Sequence, residues 1–297
     1  MPFLPQTIDK TYVPPLKCQG IKTKLVPFIV RSIEWDGSGK WVEPFLGSGV
    51  VAFNVEPQQA LLSDVNPHII ALYQDLYDGV ITPQDVRDHL EGEGDKLRQT
   101  GPDADESYYY EVRDRFNEEG NPLDYLFLSR SCFNGMVRFN QSGGYNVPFC
   151  RKPNRFRKAY VTRIVNQVTD LIEIMKDKDW QFEVLDWREA LSRGGSDDFV
   201  YLDPPYIGRS TGYYNTEWEV VEAEELASRT QELDCGFAMS MWKENQYRSN
   251  EHIDNCWDDV LCLTKSHFYH LGSTEDLRNE MEEALLIRPE YVNKELE

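Results

Sequence analysis

"WVEPFLGSGVVAFN" (residues 41–54) runs from a short apolar strand, through a turn holding Gly47 and Gly49, into the start of a helix. The next segment repeats that order: "ALLSDVNPHIIALYQDL" (60–76) reads as strand, acid and helix, with Asn66-Pro67 suited to the helix entrance. Alternation of this kind predicts an α/β domain built on a parallel sheet. The turn supplies only GxG, without the third glycine of a dinucleotide fingerprint. Asp64, however, ends the second strand, where α/β cofactor sites place an acid to accept hydrogen bonds from ribose hydroxyls. A tight turn and a helix-capping aspartate would explain the same residues without a ligand.

"YLDPPYIGRS" (201–210) carries the apolar run Phe199–Leu202 into an acid, two prolines and an aromatic. One proline is enough to stop a strand, because it donates nothing to the ladder. Two locked φ angles between Asp203 and Tyr206 also hold a carboxylate and a ring at fixed separation, which suits gripping something flat and polar. Between Asp64 and Asp203 lie 138 residues, far more than one or two strand–helix units require. An inserted, mainly helical module is therefore expected over 81–165, with 1–80 and 166–297 forming the sheet domain. Within the insert, Thr82-Pro83 starts a helix, Gly92, Gly94, Gly101 and Pro102 interrupt the stretch after it, and Tyr108–Asn117 and Leu123–Phe133 form two more helices. "NGMVRFNQSGGYNVPF" (134–149) has the composition of a loop or hairpin, and a helix with Ile164, Val168, Leu171, Ile172 and Met175 on one face returns the chain to the sheet. A helix near 221–232, a strand at 236–242 and apolar segments at 258–264 and 283–288 complete it.

With 297 residues, 40% of them hydrophobic, the chain can bury a large core. No stretch approaches the roughly 20 apolar residues that span a bilayer, and "MPFLPQTIDK" lacks the regions of a secretory signal, so a cytoplasmic protein without membrane partners is expected. Six cysteines without CxxC spacing read as reduced, packed thiols. His267 and His270 have helix-compatible spacing but no second ligand pair, and no metal is expected. The net charge of −20 argues against a protein that binds nucleic acid over its whole surface. Yet residues 125–169 contain no acid and eight cations: Arg130, Arg138, Arg151, Lys152, Arg155, Arg157, Lys158 and Arg163. Such a block is either a solvated face or the contact surface for a polyanion.

"EPFLGSG" (43–49) followed by a long insertion and then DPPY (203–206) resembles the adenine-N6 DNA methyltransferases of the Dam-like group. "LKCQGIKTKLVPFI" (16–29) is similar to that group's N-terminal cofactor motif, and "FNGMVRFNQSGGYNVPF" (133–149) to its target-recognition segment. Within the group the resemblance is nearest to EcoRV-type modification methyltransferases, which share "PPxKxQGIKTKLVP", "RSCFNGM" and "DPPYIGR" in this order. Cys18 stands where the wider group has tryptophan and Ile21 replaces a glycine, so packing over the cofactor differs there.

The resemblance implies a doubly wound α/β S-adenosylmethionine-dependent methyltransferase sheet with an inserted helical DNA-recognition module. It implies methyl transfer to adenine N6 in double-stranded DNA by a protein acting as a monomer, with the first adenine of GATATC as target and a restriction endonuclease as functional partner. A GATC enzyme without an endonuclease, and a DNA-binding module with an inactive cofactor site, are the alternatives. The catalytic segment would be Asp203, Pro204, Pro205 and Tyr206. S-adenosylmethionine would lie among Cys18, Lys22, Glu43, Pro44, Phe45, Gly47, Gly49, Asp64, Asp186 and Asp203. DNA would meet Lys17, Arg130, Asn134, Met136, Arg138, Asn140, Pro148, Arg151, Lys152, Arg155, Arg157 and Lys158. Arg138 is the leading base reader and the cations of 151–158 suit phosphates, whereas Asn134 and Pro148 serve a turn and a strand break equally well.

Overall fold

The computed structural model describes residue 4 and residues 8–18, 20–99, 107–206, 218, 220–245, 248–268 and 280–294. Its strands are β1 Trp41–Glu43, β2 Gln59–Asp64, β3 Asp179–Val184, β4 Phe199–Leu202, β5 Gly236–Asn245, β6 Arg248–Ser249, β7 Leu261–Phe268 and β8 Glu280–Ile287. They form a sheet of order β3-β2-β1-β4-β5-β8-β7, with β6 paired to β5 outside that path. From β3 to β5 neighbouring strands are parallel, and β8 is antiparallel to both β5 and β7.

Alternate residues of each central strand enter two separate cores. Trp41, Ala60, Leu62, Phe199, Tyr201, Ala238, Leu285 and Ile287 join one, while Val42, Leu61, Val200, Leu202, Phe237, Met239, Ala284 and Leu286 join the other. Burial on both faces is why β4 reads as an unbroken apolar run rather than an alternation. Helices cover both faces, which makes the sheet doubly wound. The first core takes α1 Val26–Ser32, α2 Ala52–Val55, α3 Pro67–Tyr77, α4 Pro83–Gln99, α5 Ser107–Glu119, α6 Pro122–Ser131 and α7 Lys158–Met175. The second takes α8 Trp187–Ser192, α9 Val220–Gln231 and α10 Glu251–Cys256. Among the described residues no helix is long and apolar enough to cross a membrane.

The helices between β2 and β3 share the first core with the sheet, and α7 runs unbroken through residue 165, the expected edge of the insert. Asn66 caps α3 by accepting from the His68 amide, with Pro67 in the first turn. Thr82 and Asp85 cap α4 reciprocally: the Thr82 amide donates to Asp85 and the Asp85 amide to the Thr82 hydroxyl.

Three local expectations are corrected. Strand β3 was not foreseen: it is an edge strand whose inward residues are only Trp180 and Phe182, so its apolar signal is short. His267 lies in β7 rather than on a helix, and His270 is outside the described residues. Finally, α4 passes through Gly92 and Gly94 without interruption, while Gly101 and Pro102 lie outside the described residues. Gly94 is a contact point, since a Cβ there would sit 2.5 Å from the Phe156 Cβ; Gly92 has nothing within 4 Å. The two glycines should therefore respond oppositely. Gly94→Ala should lower the unfolding free energy, overpacking costing about 1–3 kcal/mol. Gly92→Ala should raise it by about 0.5–1 kcal/mol through helix propensity. Urea titrations giving both variants the same sign would contradict this reading of the α4 surface.

Candidate active site

Parallel strands β1, β2 and β4 end on one edge of the sheet, each in or beside an acid: Glu43, Asp64 and Asp203. The chain turns one way from β1 to β2 and the other way to β4, so β1/β4 is the switch point where open α/β sheets form a ligand crevice. After β1 the backbone folds tightly, with the Gly49 amide donating to the Leu46 carbonyl and the Leu46 amide to the Ser63 carbonyl. Gly47 and Gly49 have φ of +50° and +70°, and the space where a Gly47 Cβ would stand is open. Asp64 is buried and accepts from the Gly47 amide through one oxygen and the Asn66 amide through the other, both at 2.9 Å. It thereby ties the glycine turn to the α3 entrance. Pro44 is buried, and Phe45 meets Trp218 edge-on.

Asp203 is reached from the other end of the chain. The Lys22 ammonium lies 2.8 Å from one of its oxygens and 2.9 Å from the other, and also donates to the Gly20 carbonyl at 3.2 Å. The Lys22 side chain is 5% exposed and that of Asp203 23%. The same ammonium lies 4.9 Å from the centroid of the Tyr206 ring, whose hydroxyl donates to Glu283 on β8 at 2.8 Å. Glu283, 2% exposed, was not foreseen. Its partner is 77 residues earlier in the sequence, and "EMEEALLI" contains nothing that marks one of its acids as buried.

The cluster is short of positive charge. Burial raises the Glu43 carboxyl from 4.5 to about 8, with Asp203's charge adding to it against hydrogen bonds from the Trp41 indole and the Ala52 amide. Burial likewise raises Asp64 from 3.8 to about 6, against the two backbone donors. Asp203 is also raised by burial, with Lys22 opposing. Burial and the neighbouring Asp64 push the half-buried Cys18 thiol up. Asp186 follows β3 on the same edge but caps α8 through the Arg188 amide and pairs with the Arg188 guanidinium.

The recognition segment lies after α6. It closes through isolated bridges Cys132↔Phe149 and Phe139↔Tyr145. Asn134 is exposed with φ +56°, and exposed Pro148 accepts the Phe133 amide through its carbonyl. Half-buried Met136 accepts the Tyr145 hydroxyl through its carbonyl. Asn140 takes the Ser142 and Gly144 amides on its side-chain oxygen. Arg138 donates to both the side-chain and backbone oxygens of Asn146. The Lys17 stem packs on Gly135, at whose φ of +67° a Cβ would come within 2.7 Å of it. Lys152, Arg155, Arg157, Tyr160 and Arg163 line a cleft of about 660 Å³, with the Arg155 guanidinium 5.1 Å from the Tyr160 ring centroid. Arg151 and Lys158 are exposed beside it.

Arg130 requires correction as a DNA contact. It is buried, and its guanidinium donates to the Pro14 and Pro15 carbonyls and to Gln167. Its charge fastens the N-terminal segment to α6 and α7 and does not face solvent.

A doubly wound sheet with a glycine turn and acids at its switch point is an arrangement that open α/β folds use to bind nucleoside cofactors. The chain belongs to the D12 class of N6 adenine-specific DNA methyltransferases, whose family model it matches over residues 19–271. It is 31% identical over 212 residues to the type II methyltransferase M.MjaIII of Methanocaldococcus jannaschii, covering 65% of this chain and 68% of that protein. It is 33% identical over 183 residues to the type II methyltransferase M.CviBI of Paramecium bursaria Chlorella virus NC1A, with coverage of 58% and 61%. With the DNA adenine methylase of Serratia marcescens it shares 28% over 227 residues, covering 73% and 77%. The family implies S-adenosylmethionine as methyl donor. The site suits that molecule: the open space over Gly47 admits a sugar edge, Asp64 offers carboxylate oxygens beside it, and buried acids favour a ligand bearing an ammonium and a sulfonium.

A folded carboxyl that titrates above its unfolded value holds a proton the unfolded chain has released, so its contribution to stability falls as pH rises between the two values. For Glu43 that window runs from 4.5 to about 8. In the upper part of that window, between about pH 7 and 8, above the value to which Asp64 is raised, the ligand-free protein should therefore lose on the order of 1 kcal/mol of stability. Glu43→Gln should remove most of that slope. Calorimetric melting with equal pH dependence in both proteins would contradict the assignment.

Proposed function

We propose that this chain methylates adenine N6 within a specific duplex sequence, with Asp203, Pro204, Pro205 and Tyr206 as the reacting edge and residues 81–165 as the recognition module. The observation that carries the reading is Asp203 at the switch point, tied by one lysine to the Tyr206 ring beside it. Adenine's amino nitrogen is a poor nucleophile because its lone pair is delocalised into the ring. Bound S-adenosylmethionine supplies the electrophilic methyl group. Asp203 accepts one N6 hydrogen and the Pro204 carbonyl the other, drawing the nitrogen toward tetrahedral geometry with its lone pair directed at the methyl group. Fixed acceptors suit this role because preorganised electrostatics needs no rearrangement during the reaction. Lys22 opposes the effect of burial and so favours Asp203 as an acceptor, and each carboxylate oxygen has a second lone-pair direction for the substrate. After transfer, the raised Asp203 carboxyl is the adjoining group suited to taking the surplus N6 proton. The base must leave the duplex, at a cost of a few kcal/mol, and stacking on Tyr206, worth about 1–3 kcal/mol, offsets much of it. Asp203→Ala should lower single-turnover methyl transfer by about 10²–10³-fold while specific DNA binding persists. A rate within tenfold of wild type would remove Asp203 from this role.

For the target, the likeness to EcoRV-type enzymes supports the first adenine of GATATC, with Arg138 reading the guanine after exchanging its Asn146 contacts for the base edge. The type II names of two relatives favour a functionally paired endonuclease. Arg138→Ala should cost about 1–3 kcal/mol and relax preference at one position. Arg155→Ala should weaken all sequences alike and flatten the salt slope. Expression in a methylation-free host with single-molecule sequencing of its genome tests the whole assignment. Modified adenines confined to GATC would replace the target, and none at all from a folded, cofactor-binding protein would overturn the activity.

A further inference from the structure

Glu283 stands in the middle of β8, opposite Trp242 on β5 and Lys265 on β7, with buried Ala284, Leu285, Leu286 and Ile287 following it. A buried acid beside a run of packed apolar residues is unfavourable unless something hydrogen-bonds to it. Glu283 is bonded to the reacting edge: it accepts the Tyr206 hydroxyl at 2.8 Å. With the Lys22 ammonium 4.9 Å from the ring centroid, Tyr206 is held at its hydroxyl from β8 and on its ring by the N-terminal segment. Anchoring the hydroxyl stops the ring swinging about χ1, and the ammonium beside the ring bears on rotation about χ2, whose axis runs through the hydroxyl oxygen and is not restrained by that bond.

We propose that Glu283 is a positioning residue for the methyl-transfer reaction, fixing where the Tyr206 ring sits so that a base stacked on it presents its amino group to Asp203. The inference rests on Tyr206 being the stacking platform proposed above. Because β8 is locked to β5, and β5 to β4, the platform and the acceptor at the end of β4 are held by one continuous piece of sheet. Glu283 touches neither base nor cofactor in this role, so its loss should slow the step that depends on alignment and leave cofactor affinity largely intact.

The test uses the full-length protein, a duplex carrying the site that the wild type methylates, and tritiated S-adenosylmethionine. Glu283→Ala should reduce the single-turnover rate about tenfold or more, as misplacement of a reacting group does, with KM for the cofactor changing much less. Glu283→Gln, which keeps an oxygen acceptor, should recover most of the lost rate. In a Tyr206→Phe background, Glu283→Ala should add less than about twofold, because the bond it would break is already gone. A wild-type rate in Glu283→Ala, with only a lowered melting temperature, would overturn the proposal and leave a merely structural acid. So would an equal loss on adding Glu283→Ala to the wild type and to the Tyr206→Phe variant. Should Glu283→Ala fail to fold, Tyr206→Phe deletes the same bond from the other side, and an undiminished rate there is equally decisive. Failure of the wild type to methylate adenine would instead count against the proposed function itself.

Discussion

A single ammonium, that of Lys22, meets the carboxylate at the end of β4 and the aromatic ring three residues later. The pair is largely buried, where desolvation of both charges is costly and only close geometry with further hydrogen bonds offsets it. The Gly20 carbonyl supplies such a bond to the lysine. Removing one partner would leave the other charge uncompensated, which typically costs about 3–5 kcal/mol. This contact therefore fixes how residues 20–22 sit on the sheet. Around it Glu43, Asp64 and Glu283 add three more buried acids, so the site is poised to accept positive charge.

Two electrostatic regions are thus built from one acidic chain. The switch-point crevice concentrates carboxyls and favours a cation, whereas the segment between Tyr125 and Thr169 has no acid and presents Lys152, Arg155 and Arg157 along an open cleft. The rest of the chain carries −28 against the eight cations of that block. A polyanion approaching this protein is repelled over most of its surface and attracted at one place, which favours encounter in a single orientation.

Much of this was legible because it is local. Residues 41–54 and 60–76 contain strand, turn, cap and helix within a few positions of each other, and DPPY carries its rigidity in its own two prolines. Charge counting failed at Arg130 because composition does not distinguish a cation in solvent from one holding the carbonyls of Pro14 and Pro15. Gly92 and Gly94 look alike as helix breakers, yet only Gly94 has Phe156 against it, a contact 62 positions away. Glu283 was invisible for the same reason: its meaning lies in the Tyr206 hydroxyl, and nothing in its own strand announces that partner.

The N-terminal segment brings these regions together. Lys17 packs its stem on Gly135 within the recognition turn, and Lys22, five positions later, holds Asp203. A chain extends at most about 3.3–3.6 Å per residue, so these two anchors lie within roughly 18 Å of each other along the backbone. Arg130 adds a third tie by holding Pro14 and Pro15 just upstream. A segment fixed at three points in nine residues has little freedom to change one contact alone. The acceptor that would polarise the base and the turn that would read its neighbours are consequently referenced to the same short stretch of backbone, and their separation is set by covalent geometry as well as by packing.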